Sequence, residues 1–361
     1  MPRNADLCGK AARVGNVGAL RCARRHGCPL SARIGSRTIN ACDEAASEGH
    51  LGALQWARVN GCPWDAQTSS KAAAGGHLRV LMWAQICGCP WDAWTCAKAA
   101  ENGHMIVLKW SRSNGCPWDG TTCSGAAAGG HLRLLQWAHA NGCPWDGRTC
   151  AEAALAGHLD ILQWARANGC PWSLTTSYRA AERGQLDTLK WARANGCPYD
   201  SSMCYNAAFK GHLKVIRWAR AINCPWDTYT CCKAAEGGHL NILRWARMNG
   251  CPWDSKTCAG AAKGGHLHIL QWAFANGCPW DAKTSVGAAS EGHLEVLQWA
   301  RANGCPWTKF VCAQAAAGGH IDVLKWARAN GCPWDETTIA WAKREERMAI
   351  VAWARKNGCP E

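Results

Sequence analysis

Between Thr257 and Asp281 the chain reads as two apolar stretches of helical period separated by a glycine turn. In the second stretch Leu267, Ile269, Leu270, Trp272 and Ala273 are apolar, while His268 and Gln271 lie one turn apart on another side. That spacing predicts a short helix with most of its surface covered. Ahead of it, the turn around Ala261 and Ala262 predicts a first helix of about two turns, with Thr257 as its N-cap. Gly265 is placed to end that helix through a positive φ. Asn276-Gly277 ends the second helix, and Pro279 forbids its continuation.

The same pattern recurs along the chain. Cys-Pro pairs stand at Cys62, Cys89, Cys116 and onward to Cys359 in steps of 27 residues, and only the first step, from Cys28 to Cys62, is longer, at 34. The closing Gly is replaced once, by Asn223, the next residue type able to enter the left-handed region. A helix pair this small cannot bury its own apolar faces, so the repeat predicts an all-α solenoid of about thirteen stacked helix-turn-helix units. The expected organisation is one solenoid over residues 1–361. An N-terminal capping unit with a longer loop occupies 1–40, regular units 41–335, and a C-terminal capping unit 336–361. Cys22 and Leu30 replace Trp in the first unit, and Lys343-Arg344-Glu345-Glu346-Arg347 marks the last, as end units with a wettable face require.

Composition agrees with duplication of one unit: 24 Trp stand against 4 Tyr and 3 Phe. Hydrophobic residues make up 48%, too many for a disordered chain, yet none of their runs is long enough to span a bilayer. The opening Met1-Pro2-Arg3-Asn4-Ala5-Asp6 lacks the apolar stretch of a secretory signal, so the cytoplasm or nucleus is the expected compartment.

The motifs resemble those of ankyrin repeats. One unit opens Thr284-Ser285-Val286-Gly287-Ala288-Ala289, continues Gly292-His293-Leu294 and closes its second helix at Gly304-Cys305. The match lies in the Thr, the Ala pair, Gly-His-Leu and the closing Gly. Short Trp- and Cys-Pro-rich units of this kind resemble the expanded ankyrin families of giant viruses, algae and oomycetes, which implies an interaction scaffold and not a catalyst. Two departures stand out. The family period is about 33 residues, and the deficit falls in the connection, so the projecting β-hairpin is expected to be trimmed away. The family's motif histidine is replaced by Lys71, Lys98, Gly125 and Glu152, so the polar network that links units through it is not expected here.

The residues that suggest chemistry have structural readings. Cys89, Cys96 and His104 are zinc-binding types, but the spacing is not that of a zinc finger, and the second Cys is Ser69, Ser177, Ser285 or Ile339 in other units. Small apolar packing is the expected role of the cysteines, and neutral structural roles are expected for the Gly-His histidines. Trp56, Trp83 and Trp110 belong to the core, whereas Trp64, Trp91, Trp118 and Trp145 roof the shortened loop. No metal, cofactor or catalytic set is expected.

Two binding surfaces remain. The formal charge is +14, and Arg58, Arg112, Arg166, Arg193, Arg220, Arg247, Arg301 and Arg328 form a stripe interrupted by Gln85, His139 and Phe274. Long stems shielding the Trp rings are the leading account of the stripe; non-specific nucleic-acid or polyanion binding is the alternative. The second surface is where the units vary, on the first helix and its preceding loop, which line the concave face in ankyrin-like stacks. All four tyrosines, Tyr178, Tyr199, Tyr205 and Tyr229, fall in one stretch with Arg179, Arg183, Phe209 and Lys210. Tyr and Arg dominate binding hot spots. The candidate site for an unidentified protein partner is therefore Tyr178, Arg179, Arg183, Tyr205, Phe209, Lys210 and Tyr229, on a chain expected to be a monomer.

Overall fold

A computed structural model describes residues 6–34 and 37–361, so the opening segment 1–5, on which the expectation of compartment rests, lies outside the described residues. Among the described residues are 26 helices, in thirteen successive pairs, and one two-stranded hairpin. No helix among them is long and apolar enough to cross a membrane. The chain divides into two compact units, residues 1–176 and 177–361. Within each unit every helix pair repeats the same plan, an all-α, solenoid-like array.

The helix Ser255–Lys263 shows how a first helix begins. Its N-cap is Asp254, with φ −144° and ψ −171°, and the carboxylate accepts from the Lys256 N–H at 3.0 Å. The expected cap, Thr257, instead lies inside the first turn, fully buried, with its N–H bonded to the Asp254 carbonyl. An aspartate held in extended backbone after Pro-Trp offers the orphan N–H groups a charged acceptor at the positive end of the helix, and it outcompetes a hydroxyl three residues later. The Thr257 hydroxyl faces the Cys278 sulfur without reaching hydrogen-bond geometry, and Thr95, Thr122, Thr149, Thr230, Thr284 and Thr338 repeat this orphaned hydroxyl.

The first helices are made of small residues because they pack almost backbone to backbone. Thr257, Cys258, Gly260, Ala261 and Ala262 are all buried, and a Cβ on Gly260 would stand 2.6 Å from the Cys232 carbonyl of the preceding first helix. The second helix, Leu267–Ala275, buries Ile269, Leu270 and Ala273, each large aliphatic side chain contributing about 1.5–3 kcal/mol. Nine residues are too few for an isolated helix to persist in water. The neighbours supply what the pair lacks.

A latch joins successive pairs. Gly265 turns with φ +74°, and its Cα faces the ring of His293 so closely that a Cβ would meet it at 2.6 Å. The histidine rings also reach the C-terminal carbonyls of the preceding first helix. The Nε2 of His77 lies 3.0 Å from the Ser47 carbonyl, that of His239 3.1 Å from Phe209, and that of His266 3.2 Å from Glu236. A carbonyl only accepts, so Nε2 carries the hydrogen, which the neutral ring supplies. In the last pair Arg347 takes the same place, donating from Nε to the Ala317 carbonyl. Neighbours are thus linked by the Gly-His histidine, not by the motif histidine that the sequence lacks.

Two features of the N-terminal pair go beyond the expectation. The longer first connection carries two antiparallel strands, β1 (Ser31–Ile34) and β2 (Arg37–Asn40), pairing Ala32 with Ile39. The first pair exposes Lys10, Arg13, Arg21, Arg24 and Arg25, but it also carries an apolar hollow. With Cys22 in the place of a Trp, an apolar hollow of about 530 Å³ opens among Leu7, Ala11, Val14, Ala19 and Cys22, and Val14 is 69% exposed. At the other end Lys343, Arg344, Glu345, Glu346 and Arg347 are all exposed, as a capping face requires.

Replacing Asp254 by Ala is expected to lower stability by about 1 kcal/mol, whereas Thr257→Val, which removes an orphaned hydroxyl, is expected to be neutral or stabilising; urea midpoints of the two variants check the reassigned cap. The latch also predicts a pH dependence. Burial lowers the pKa of His266 below its usual value of 6.5, against the opposing hydrogen bond to Glu236. The unfolded chain therefore takes up the proton first, and the contribution is complete above about pH 6.5 and lost as pH falls through that value toward the folded pKa. Thermal midpoints should fall on acidification from about pH 7.5 to 5.5, and less steeply in His266→Gln; parallel curves would remove His266 from the latch.

Candidate functional site

The repeated positions have structural partners. In most units the closing cysteine donates its thiol to the carbonyl of the residue that caps the first helix, as in Cys278 Sγ to Asp254 at 3.4 Å and Cys224 Sγ to Asp200 at 3.4 Å. The first-helix cysteine lies beside the closing one twenty residues on, the Cys204 and Cys224 sulfurs being 3.7 Å apart. Where serine replaces it, the hydroxyl makes the equivalent bonds, Ser285 Oγ donating to the Pro306 carbonyl at 3.0 Å. All 25 cysteines are free thiols, with Cys22 and Cys87 exposed and the rest buried. Burial pushes the Cys89 and Cys305 thiols up, against a lowering by their serine partners. Burial, reinforced by Glu236, pushes Cys232 up to about 11. These groups stay protonated at neutral pH, and Cys89 and Cys305 donate to the Asp65 and Asp281 carbonyls. No group of three or more His, Cys, Asp or Glu side chains suited to a metal occurs among the described residues.

The two tryptophan series meet edge to face. Trp253, in the loop before one helix pair, packs against Trp272 of that pair's second helix at 5.9 Å and 64°, and Trp226 against Trp245 at 6.0 Å and 66°. The loop ring also carries the arginine of its own closing turn. The Arg247 guanidinium lies 4.2 Å above Trp253, and Arg58, Arg112, Arg166, Arg220, Arg301 and Arg328 repeat this on their loop tryptophans. Arg193 lies on Tyr199 at 4.5 Å. The guanidinium also donates to the carbonyl of the closing cysteine, at 2.7 Å for Arg220 and Cys224. The interruptions of the stripe do the same work: His139 stacks on Trp145 at 3.8 Å, Phe274 lies 4.3 Å from Trp280, and Gln85 donates to the Cys89 carbonyl at 2.9 Å. What these positions have in common is a planar group against the closing loop, with or without charge.

The candidate recognition residues lie on successive first helices. Tyr178 and Arg179 are on the helix Leu174–Glu182, and Arg183 follows it. Tyr205 and Phe209 are on Ser201–Phe209, which Lys210 caps, and Tyr229 is on Thr228–Glu236. The structure brings the Tyr205 and Tyr229 rings to 6.3 Å, and the Lys210 ammonium to 5.1 Å from the Phe209 ring. Arg179 is 3.8 Å from Glu182 on its own helix. Tyr199 is separated from the others, belonging instead to the loop series with Trp226 and Trp253.

Sequence reasoning missed two members. Lys256 places its ammonium 4.4 Å above the Tyr229 ring, and Lys233 approaches Phe209 at 5.4 Å. Adding or subtracting one period points to both, because Lys256 repeats the position of Tyr229, and Lys233 that of Asn206, which adjoins Tyr205. Glu236 sits between Lys233 and Lys263, at 2.5 and 3.1 Å. Burial alone would raise its pKa, but the two lysines outweigh it and hold the carboxyl below its usual range.

Exchange of Arg247 for Ala is expected to lower stability by about 1–2 kcal/mol, the sum of a ring contact and a carbonyl hydrogen bond. Arg247→Phe, which copies Phe274, should recover about half of that or more. Denaturation midpoints decide the matter, since a Phe variant as weak as Ala would show that the charge and not the plane matters.

Comparison with known proteins adds little. No protein-family model matches the sequence, and no curated protein matches it. Among solved structures, the human ASB11 ankyrin repeat domain is similar over 45% of this chain and 84% of its own, with 16% identity and a TM-score of 0.37. The pentatricopeptide repeat protein PPR10, in complex with an 18-nucleotide psaJ RNA element, is similar over 99% of this chain, with 16% identity and a TM-score of 0.38. This chain spans 64% of its length. Scores this low leave the description to the chain's own geometry. The paired short helices, repeated along the chain with the same Asp, Gly-His and Gly-Cys-Pro punctuation, make it a helical repeat protein.

Proposed function

We propose that the chain is a recognition scaffold that takes a protein partner on the face formed by its first helices and the loops before them, centred on Tyr178, Arg179, Arg183, Tyr205, Phe209, Lys210 and Tyr229. The supporting observation is a division of labour inside the repeat. Residues that recur in nearly every unit have structural partners, either a carbonyl to bond, a ring to cover or a turn to close. Residues that change from unit to unit lie on the first helices and at their ends, half-buried at Tyr178, Arg179, Tyr205 and Phe209 and exposed at Arg183, Lys210 and Tyr229. An even spread of cysteine and histidine along the units offers no single place where nucleophile, base and oxyanion pocket converge, so binding is a better reading than catalysis.

The cytoplasm or nucleus, and a single solenoid working as a monomer, fit this role. Polyanion binding through the arginine stripe is the weaker reading, because its guanidinium groups already cover tryptophan rings and bond to cysteine carbonyls.

Cross-linking mass spectrometry of the full chain in its native host is expected to map partner contacts to residues 178–233. Changing Tyr178, Tyr205 and Phe209 together to Ala should abolish those cross-links, since aromatic anchors of this kind each carry on the order of 2 kcal/mol. Undiminished capture by the folded triple variant would rule the patch out.

A further inference from the structure

We infer that the patch reads an acidic peptide segment lying across the first helices, with carboxylates spaced three residues apart along a polyproline-type backbone. This inference rests on the recognition reading above and adds the chemistry of the partner to it.

The first observation is a paired departure within the repeat. At the position of Tyr178 the regular units carry Asp43, Ser70, Ala97, Ser124, Ala151, then Tyr178 and Tyr205, then Cys232, Ala259, Val286, Ala313 and Ala340. Five residues further on, at the end of the same helix, they carry Glu, Gly, Asn, Gly and Ala, then Arg183 and Lys210, then Gly, Gly, Glu, Gly and Glu. An aromatic ring and a cation therefore enter together, in two adjacent units and in no other. Neither is needed by the fold, because the other units keep the same helix with small or acidic residues there. A cation at a helix C-terminus does favour the dipole, but Gly and Glu at the equivalent ends show that this is not required.

The second observation is the state of those cations. Arg183 and Lys210 are both exposed. Beyond them lie Lys233 and Lys256, each held near an aromatic ring of the patch. The carboxylates nearby are already paired, Glu182 with Arg179, Glu236 with Lys233 and Lys263, and Asp254 with Lys256 at 4.0 Å, which leaves Arg183 and Lys210 as the cations that the inference uses. The surface is thus an aromatic floor edged by cations, complementary to carboxylates and to proline or aliphatic groups between them.

The spacing follows from the repeat. Packed helices lie about 8–10 Å apart, and a polyproline-type chain rises about 3.1 Å per residue with three residues per turn. A carboxylate at every third position therefore advances about 9 Å and stays on one side of the chain. That sets successive acids against Arg183 and Lys210, with the intervening residues over Tyr178, Tyr205 and Phe209.

The test uses the full chain and fluorescein-labelled peptides, read by fluorescence anisotropy at low salt. A peptide of five Glu-Pro-Pro triplets should bind, its Gln-Pro-Pro counterpart should not, and an isomer with the glutamates contiguous should bind more weakly. The double variant Arg183→Glu, Lys210→Glu should lose about tenfold or more in affinity and should gain binding to Lys-Pro-Pro triplets, a rescue that misfolding cannot produce. Unchanged affinity in that variant, equal binding of the contiguous isomer, or tighter binding of a labelled oligodeoxythymidine than of the Glu-Pro-Pro peptide would each overturn the inference. Cross-links that persist at residues 178–233 while the acidic peptide fails to bind would overturn the acidic chemistry and leave the scaffold reading standing. Cross-links that avoid this surface altogether would overturn both.

Discussion

The structure depends on the fact that no helix pair here is stable by itself. Nine residues give too few intrahelical bonds to offset nucleation, and the first helix is built almost wholly from Ala, Gly, Ser, Thr and Cys, which bury little area. Close approach makes up for this. Gly260 leaves the preceding backbone within 2.6 Å of where a Cβ would stand, and the Gly265 turn lies directly under the His293 ring. The strict parts of the repeat follow from that one requirement. Glycine permits the approach, histidine spans it to a carbonyl, and Arg, His, Phe or Gln closes the loop that precedes the next pair.

Such repetition changes how chemistry should be read. A sequence with 25 cysteines and 13 histidines invites metal or nucleophile hypotheses, yet each type recurs because a single packing problem recurs. The arginine stripe is the most instructive case. Read as charge, it is a polyanion track; read beside its exceptions His139 and Phe274, it is a row of planar groups lying on aromatic rings. The exceptions separate the two readings because they keep the plane and discard the charge.

Much of the fold was legible in the sequence. Period, helix pairing, the positive-φ glycines and their Asn223 substitute all follow from turn chemistry that a single residue dictates, and Asn223 does take φ 56°. What escaped depended on contacts between units. Thr257 and Asp254 are both good caps in isolation, and the extended backbone and charge of Asp254 together with the burial of Thr257 decide between them. A structural role for the Gly-His histidines follows from the sequence, but their latch does not, because the carbonyl partner lies thirty residues away. Lys233 and Lys256 were missed for the same reason, their rings belonging to other units. The extra length of the first connection is visible in the sequence, but the pairing of β1 with β2 depends on contacts between the two strands.

Where the same backbone is repeated many times, conservation across species is not needed to separate scaffold from function, because the units serve as one another's controls. A residue with a structural duty should recur wherever that duty recurs, and those of the latch and the loop nearly do. Tyr178 with Arg183 and Tyr205 with Lys210 do the opposite: they appear in adjacent units, at one edge, on helices that elsewhere manage with Ala, Ser and Gly. Independent drift would scatter rings and cations among the units, whereas a ligand that crosses from one helix to the next constrains both positions in both units together. The coincidence in place of two unlike side chains is the observation on which the proposed binding surface rests.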